Sequence, residues 1–130
     1  MRSKILFISG SAPDARRLSR MLHDDPVVLD HADGVQCARA KFRQDAYDVV
    51  LTEADLPDGQ WTDVLRLARE LEPEPEVIVT DPHADARFWA EALNLGAYDL
   101  LAQPFYEPEV RRILYNACSR ISLQVHHASA

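Results

Sequence analysis

Asp48-Val49-Val50-Leu51-Thr52-Glu53-Ala54-Asp55-Leu56-Pro57-Asp58-Gly59 decides the fold. Val49-Val50-Leu51 is apolar without alternation, the pattern of a short strand buried on both faces. Leu56-Pro57-Asp58-Gly59 carries the residues of a turn. A buried strand therefore ends at Glu53 and opens onto a loop. Such a strand needs helices on either side of its sheet, and the flanking sequence supplies them.

Toward the N-terminus, Ile5-Leu6-Phe7-Ile8 predicts a first strand, and Pro13 opens a helix with Leu18, Met21 and Leu22 on its inner face. Val27-Val28-Leu29 predicts a weaker second strand at or near an edge, and Val35, Ala38 and Phe42 then recur at helical spacing. Toward the C-terminus, Val64, Leu65, Ala68 and Leu71 mark a helix face, ended by the Pro73 to Pro75 segment before a strand at Val77-Ile78-Val79. Phe88, Ala92 and Leu95 mark the next inner face, with Gly96 placed to cap it. Leu100-Leu101-Ala102 is the last strand, and the closing helix runs on Val110, Ile113, Leu114, Ala117 and Ile121.

Five strands in alternation with five helices imply an α/β fold: a parallel sheet covered on both faces, a three-layer sandwich. In open sheets of this kind the functional crevice lies beyond the carboxyl ends of the strands. That places Ser9-Gly10-Ser11, Glu53, Thr80-Asp81 and Gln103 at its rim. Residues 1–123 form one domain, and the small, polar stretch 124–130 is expected to be a flexible tail.

With 130 residues, 47% of them hydrophobic and 27% charged, the chain is long enough for one real core and too short for two. A formal charge of −7 without a basic run argues against direct nucleic-acid binding. Cys37 and Cys118 do not make a disulfide framework. No stretch approaches the ~20 apolar residues of a membrane span, and Met1-Arg2-Ser3-Lys4-Ile5 runs straight into a strand. The expected location is the cytoplasm.

From Lys4 to Ile121 the chain resembles the receiver domain of two-component response regulators. The resemblance is carried by an acid at the strand end four residues before Pro57, by Thr80 after the fourth strand, by Gly96-Ala97 before the fifth, and by Gln103-Pro104-Phe105 after it. It implies a flavodoxin-like (βα)5 doubly wound sheet with strand order 2-1-3-4-5, and a cis peptide at Gln103-Pro104. It also implies an aspartate at the position of Glu53, phosphorylated by a histidine kinase, and an acidic pair after the first strand that binds Mg²⁺. A lysine would stand at Gln103, and Thr80, with an aromatic residue at the position of Leu100, would form the switch. The implied partners are signalling proteins such as a histidine kinase or an output protein. A homodimer through the fourth helix, fifth strand and fifth helix is implied as well, with Trp89 and Tyr106 as candidate interface residues.

The sequence departs from that pattern at its chemical positions. Ser9, Gly10 and Ser11 replace the acidic pair, Gln103 replaces the lysine, and Leu100 replaces the aromatic switch. Three carboxylates and one lysine sum to about −2, whereas Glu53 alone leaves about −1, a weak attraction for a cation that dehydrates reluctantly. Mg²⁺ binding is expected to be weak or absent, and no other cofactor is implied. Without the metal or the lysine, phosphoryl transfer loses its main electrostatic stabilisation. The extra methylene of Glu53 also displaces its carboxylate, and a shift of ~1 Å can cost about a hundredfold in rate.

Three readings of Glu53 stand side by side: an imitation of the phosphorylated state reaching toward Thr80, a structural acid held by Thr80, Gln103 and amides near Ser11, or a loop-edge glutamate of no consequence. Asp55 is a second candidate acceptor, and Asp81 a second candidate switch residue or a solvated turn acid. The histidines show no metal-ligand spacing. The leading function is a non-enzymatic receiver-like module, not phosphorylated in the usual way, that signals through protein contacts. The alternative is a flavodoxin-like binder of an FMN-like phosphate at Ser9-Gly10-Ser11. A hydrolase lacks a nucleophile with a plausible base.

Overall fold

The computed structural model describes the backbone of residues 2–129 and the side chains of residues 2–119. Its central sheet is built from β1 (Ser3–Ile8), β2 (Val27–Ala32), β3 (Val49–Glu53), β4 (Glu76–Asp81) and β5 (Asp99–Ala102), all parallel, in the order β2-β1-β3-β4-β5. The helices are α1 (Ala12–Met21), α2 (Val35–Gln44), α3 (Trp61–Arg69), α4 (Ala86–Leu95) and α5 (Glu107–Ser129). Both the alternation and the strand order agree with expectation. Val27-Val28-Leu29 does lie on the edge strand.

Successive residues of each strand feed opposite layers, as the two-residue period of a strand requires. Ile5, Phe7, Val49, Leu51, Ile78 and Leu101 pack with Leu18 and Leu22 and with Val110, Ile113, Leu114 and Ala117 of α5. Leu6, Ile8, Val50, Val77, Val79 and Leu100 pack with Ala38, Trp61, Val64, Ala68 and Ala92. The α1/α5 layer thus covers one side and the α2/α3/α4 layer the other.

Helix ends follow local chemistry. The Ser11 hydroxyl accepts the Asp14 N–H at 3.3 Å and starts α1. Asp85 accepts the Phe88 N–H at 2.8 Å and starts α4. Gly96, with φ of +110°, ends α4 as its sequence position predicts. One difference stands out. Leu95, predicted on the inner face of α4, is 46% exposed, because it ends the helix just before the chain turns away at Gly96. The backbone of α5 runs on to Ser129, with no glycine or proline after Pro108 to break it. Ile121, assigned to the inner face of α5, lies outside the described side chains.

Two features carry no periodic signal. Asp55–Leu56 and Gly59–Gln60 form a small antiparallel ribbon across the Pro57-Asp58 turn. The Gln103-Pro104 peptide is cis, as the receiver resemblance implies, and so is Glu72-Pro73. No helix among the described residues is long and apolar enough to cross a membrane.

Candidate functional site

The carboxyl ends of β1, β3, β4 and β5 bring Ser9, Gly10, Glu53, Thr80 and Gln103 to one rim of the sheet. Glu53 and Thr80 are direct neighbours in the parallel register, and both follow the alternation that sends Leu51 and Ile78 toward the α1/α5 layer. Leu100 lies on the opposite side, buried with Val79 and Ala92. It fills its place as a core residue.

The loop after β1 is organised by its own hydroxyls. Ser9 is fully buried; its Oγ accepts the Ser11 N–H at 2.9 Å, and its hydroxyl lies 3.4 Å from the Ser11 carbonyl. The Ser9 N–H donates to the Ala32 carbonyl at 2.9 Å, and the Ser9 carbonyl accepts from His31 Nε2 at 2.8 Å, which places the proton of that ring on Nε2. The Gly10 N–H donates to Glu53 Oε1 at 3.1 Å. Every amide from Ser9 to Ser11 is therefore engaged within the chain. Asp14, the first carboxylate after β1, lies 3.7 Å from Arg17 across one turn of α1.

Glu53 is half-buried and is the one carboxylate that reaches this loop among the described residues. Of the partners considered for it, only the backbone takes part. Thr80 is fully buried and its Oγ1 has no hydrogen-bond partner among the described residues. The nearby Thr52 hydroxyl, by contrast, donates to the Glu53 carbonyl at 3.0 Å. The half-buried Gln103 contributes its N–H to the Asp81 carbonyl at 3.2 Å. Asp81 is neither solvated nor aimed at Glu53; it is 9% exposed and its Oδ2 accepts the His83 N–H at 2.9 Å. Asp55 is exposed, on the ribbon opposite Gln60. No group of three or more His, Cys, Asp or Glu side chains suited to a metal ion occurs among the described residues.

The segment after β3 is fastened at successive points. The Ala54 N–H donates to the Thr80 carbonyl and the Ala54 carbonyl accepts the Trp61 N–H, each at 3.0 Å. Pro57 overlies Gly10 so closely that a Cβ on that glycine would lie 3.0 Å from the proline Cγ. Asp58 spans to another loop. Its Oδ1 accepts the Val35 N–H at 2.7 Å and its Oδ2 the Gln36 N–H at 3.0 Å. Gly34, the residue before α2, has no side chain to cap that helix, so Asp58 supplies the cap from 23 residues away. The Gln36 and Val35 amides hold the Asp58 carboxyl below the usual carboxylate range. Sequence reasoning gave Asp58 no role. The available signal was a helix start with glycine where a capping side chain belongs.

The aromatic residues divide sharply. Trp61 is 6% exposed and packs on Phe88 with ring centroids 6.4 Å apart, joining α3 to α4 in the core. Trp89 is 48% exposed, with its indole N–H donating to Asp99 Oδ1 at 3.1 Å, and Tyr106 is 66% exposed. Trp89, Leu95, Tyr106 and Tyr115 are the large hydrophobic side chains exposed on α4, α5 and the loop between β5 and α5 among the described residues.

The sequence profile of the response regulator receiver domain matches residues 5–115. Over 106 residues the chain is 34% identical to a protein-glutamate methylesterase/protein-glutamine glutaminase of Hydrogenovibrio crunogenus, covering 78% of this chain and 28% of that protein. It is 29% identical over 112 residues to the photosynthetic apparatus regulatory protein RegA of Cereibacter sphaeroides, covering 85% of this chain and 60% of RegA. The chain thus spans less than two thirds of either relative. The solved signal receiver domain of an HD domain-containing protein from Pseudomonas fluorescens Pf-5 superposes with a TM-score of 0.84 at 24% identity, over 94% of this chain and 98% of that one. Sheet order, rim geometry and sequence profile agree, and the chain belongs to the response regulator receiver domain family.

Proposed function

We propose that this receiver domain signals through protein contacts and is not phosphorylated in the usual way. Glu53 stands at the phosphoacceptor position, Gln103 at that of the lysine, and Thr80 and Leu100 at those of the switch pair. One observation carries the reading: Glu53 turns its carboxylate onto the loop after β1 and accepts the Gly10 N–H, with Pro57 folded over that glycine. A carboxylate at position 10 would first have to push the proline ring aside. Ser9, Gly10 and Ser11 form degenerate acidic-pocket positions whose hydroxyls and amides serve the loop itself. The donor set therefore fits Mg²⁺ poorly, since that ion asks for carboxylates and near-octahedral geometry.

In this reading the domain is not an enzyme, works in the cytoplasm without a cofactor, and binds no nucleic acid directly. Its output is an interface with a signalling protein, a histidine kinase or an output protein, and a homodimer through the α4, β5 and α5 face that presents Trp89 and Tyr106. The small-ligand alternative gains no support, because the amides that would hold a phosphate are already engaged.

The test is incubation with acetyl phosphate and Mg²⁺ followed by intact-mass analysis. The unmodified mass is expected; a phosphoryl adduct mapped to Glu53 or Asp55 would overturn the proposal. Glu53→Asp and Glu53→Gln then separate its roles. A changed oligomeric state or partner affinity marks Glu53 as a charge that sets the surface, and unchanged binding marks it as structural.

A further inference from the structure

We infer that Asp58 is a positioning residue that latches two loops together: by capping α2 from outside, it holds the 54–60 segment so that Pro57 stays over Gly10 and the Gly10 amide stays on Glu53. This goes beyond the proposed function and holds whether or not Glu53 is ever modified. The contacts form an unbroken series. Asp58 grips the Val35 and Gln36 amides, its neighbour Pro57 contacts Gly10, and Gly10 holds Glu53. Gly34 packs so closely on the Asp58 carboxylate that a Cβ there would lie 2.5 Å from Oδ1. The fit is thus made from both sides, by a missing side chain on one loop and a present one on the other. Because α2 has no cap of its own, movement of its first turn has a direct mechanical route to the rim. A partner that grips α2 is then read out at Glu53, some distance from where it binds.

The experiment uses the full chain labelled with ¹⁵N-glycine. Its four glycines, at positions 10, 34, 59 and 96, give a sparse amide spectrum in which Gly10 reports the rim and Gly96 the far end of α4. Asp58→Ala is expected to move the Gly10 resonance and leave Gly96 in place, and in a second, uniformly ¹⁵N-labelled sample to speed amide exchange at Val35 and Gln36 by roughly tenfold. Asp58→Asn, which keeps one accepting oxygen, is expected to fall between wild type and Asp58→Ala on both readouts, and it decides the matter should the alanine variant not fold. Arg66→Ala, which removes an exposed pair with Asp63 on α3, is the control and should leave Gly10 unmoved. Faster exchange at Val35 and Gln36 with an unmoved Gly10 would reduce Asp58 to a plain helix cap and overturn the inference. So would a shift of Gly96 together with the rest, or no change at either place.

Discussion

Thr52 and Thr80 are both fully buried, yet only Thr52 finds a partner for its hydroxyl, the carbonyl of Glu53. An unsatisfied buried hydroxyl is a net cost, while a satisfied one contributes about 1 kcal/mol. Thr80→Val, nearly the same shape, should therefore stabilise the domain by up to about 1 kcal/mol, and Thr52→Val should destabilise it by a similar amount. Urea unfolding of both variants checks the pair; equal losses would mean that the Thr80 hydroxyl is satisfied after all. Residues at this scale were legible where the strand pattern fixed their place. Glu53 could be found because a buried apolar run ends there, and Gln103 because it precedes a proline after another such run. The Asp58 bond to α2 was legible only by half: Gly34 marks a helix start that lacks its own cap, but a carboxylate meeting a backbone amide 23 positions away leaves no spacing that names the partner. Asp81 was misjudged for a related reason. A turn acid normally faces water, but this one ends β4, accepts the amide of the exposed His83 and is only 9% exposed itself.

At the level of elements, Gly96 shows how far local chemistry can be read directly. A helix pattern that reaches a glycine predicts a left-handed cap, and φ of +110° is what the chain adopts. A side chain there would be strained by the backbone and would also land on the Arg69 guanidinium, which donates to the Leu95 carbonyl at 2.7 Å. Gly96→Ala should cost about 1–3 kcal/mol, seen as a lower midpoint in urea; a loss below a few tenths would show that Arg69 and the α4 end relax freely. Hydrophobic spacing was informative wherever an element repeats it, so all five strands and five helices were recoverable. It failed where packing stops before the element does. Leu95 continues the stripe of Phe88 and Ala92 in sequence, but the helix ends beneath it. The Asp55–Leu56 and Gly59–Gln60 ribbon is too short to show any period.

For the molecule as a whole, parallel strands that alternate with helices fix the layers, whereas the strand order came from the receiver resemblance; the observed sheet joins the two. The partner surface follows from which aromatic residues the layers leave outside. Trp89→Ala combined with Tyr106→Ala should weaken homodimer formation in sedimentation velocity while lowering the unfolding midpoint only slightly, since Tyr106 is 66% exposed and the half-exposed Trp89 gives up one surface hydrogen bond to Asp99. A wild-type chain that sediments as a monomer at every concentration would remove the homodimer from the proposal. The same division of aromatics has an optical consequence. The chain has two tryptophans, one sealed between α3 and α4 and one on the outer side of α4. Their emission should separate into a blue component from Trp61 and a redder one from Trp89, with iodide quenching the second and sparing the first. The domain therefore carries its own two-colour label, able to distinguish a partner arriving at α4 from a rearrangement beneath it.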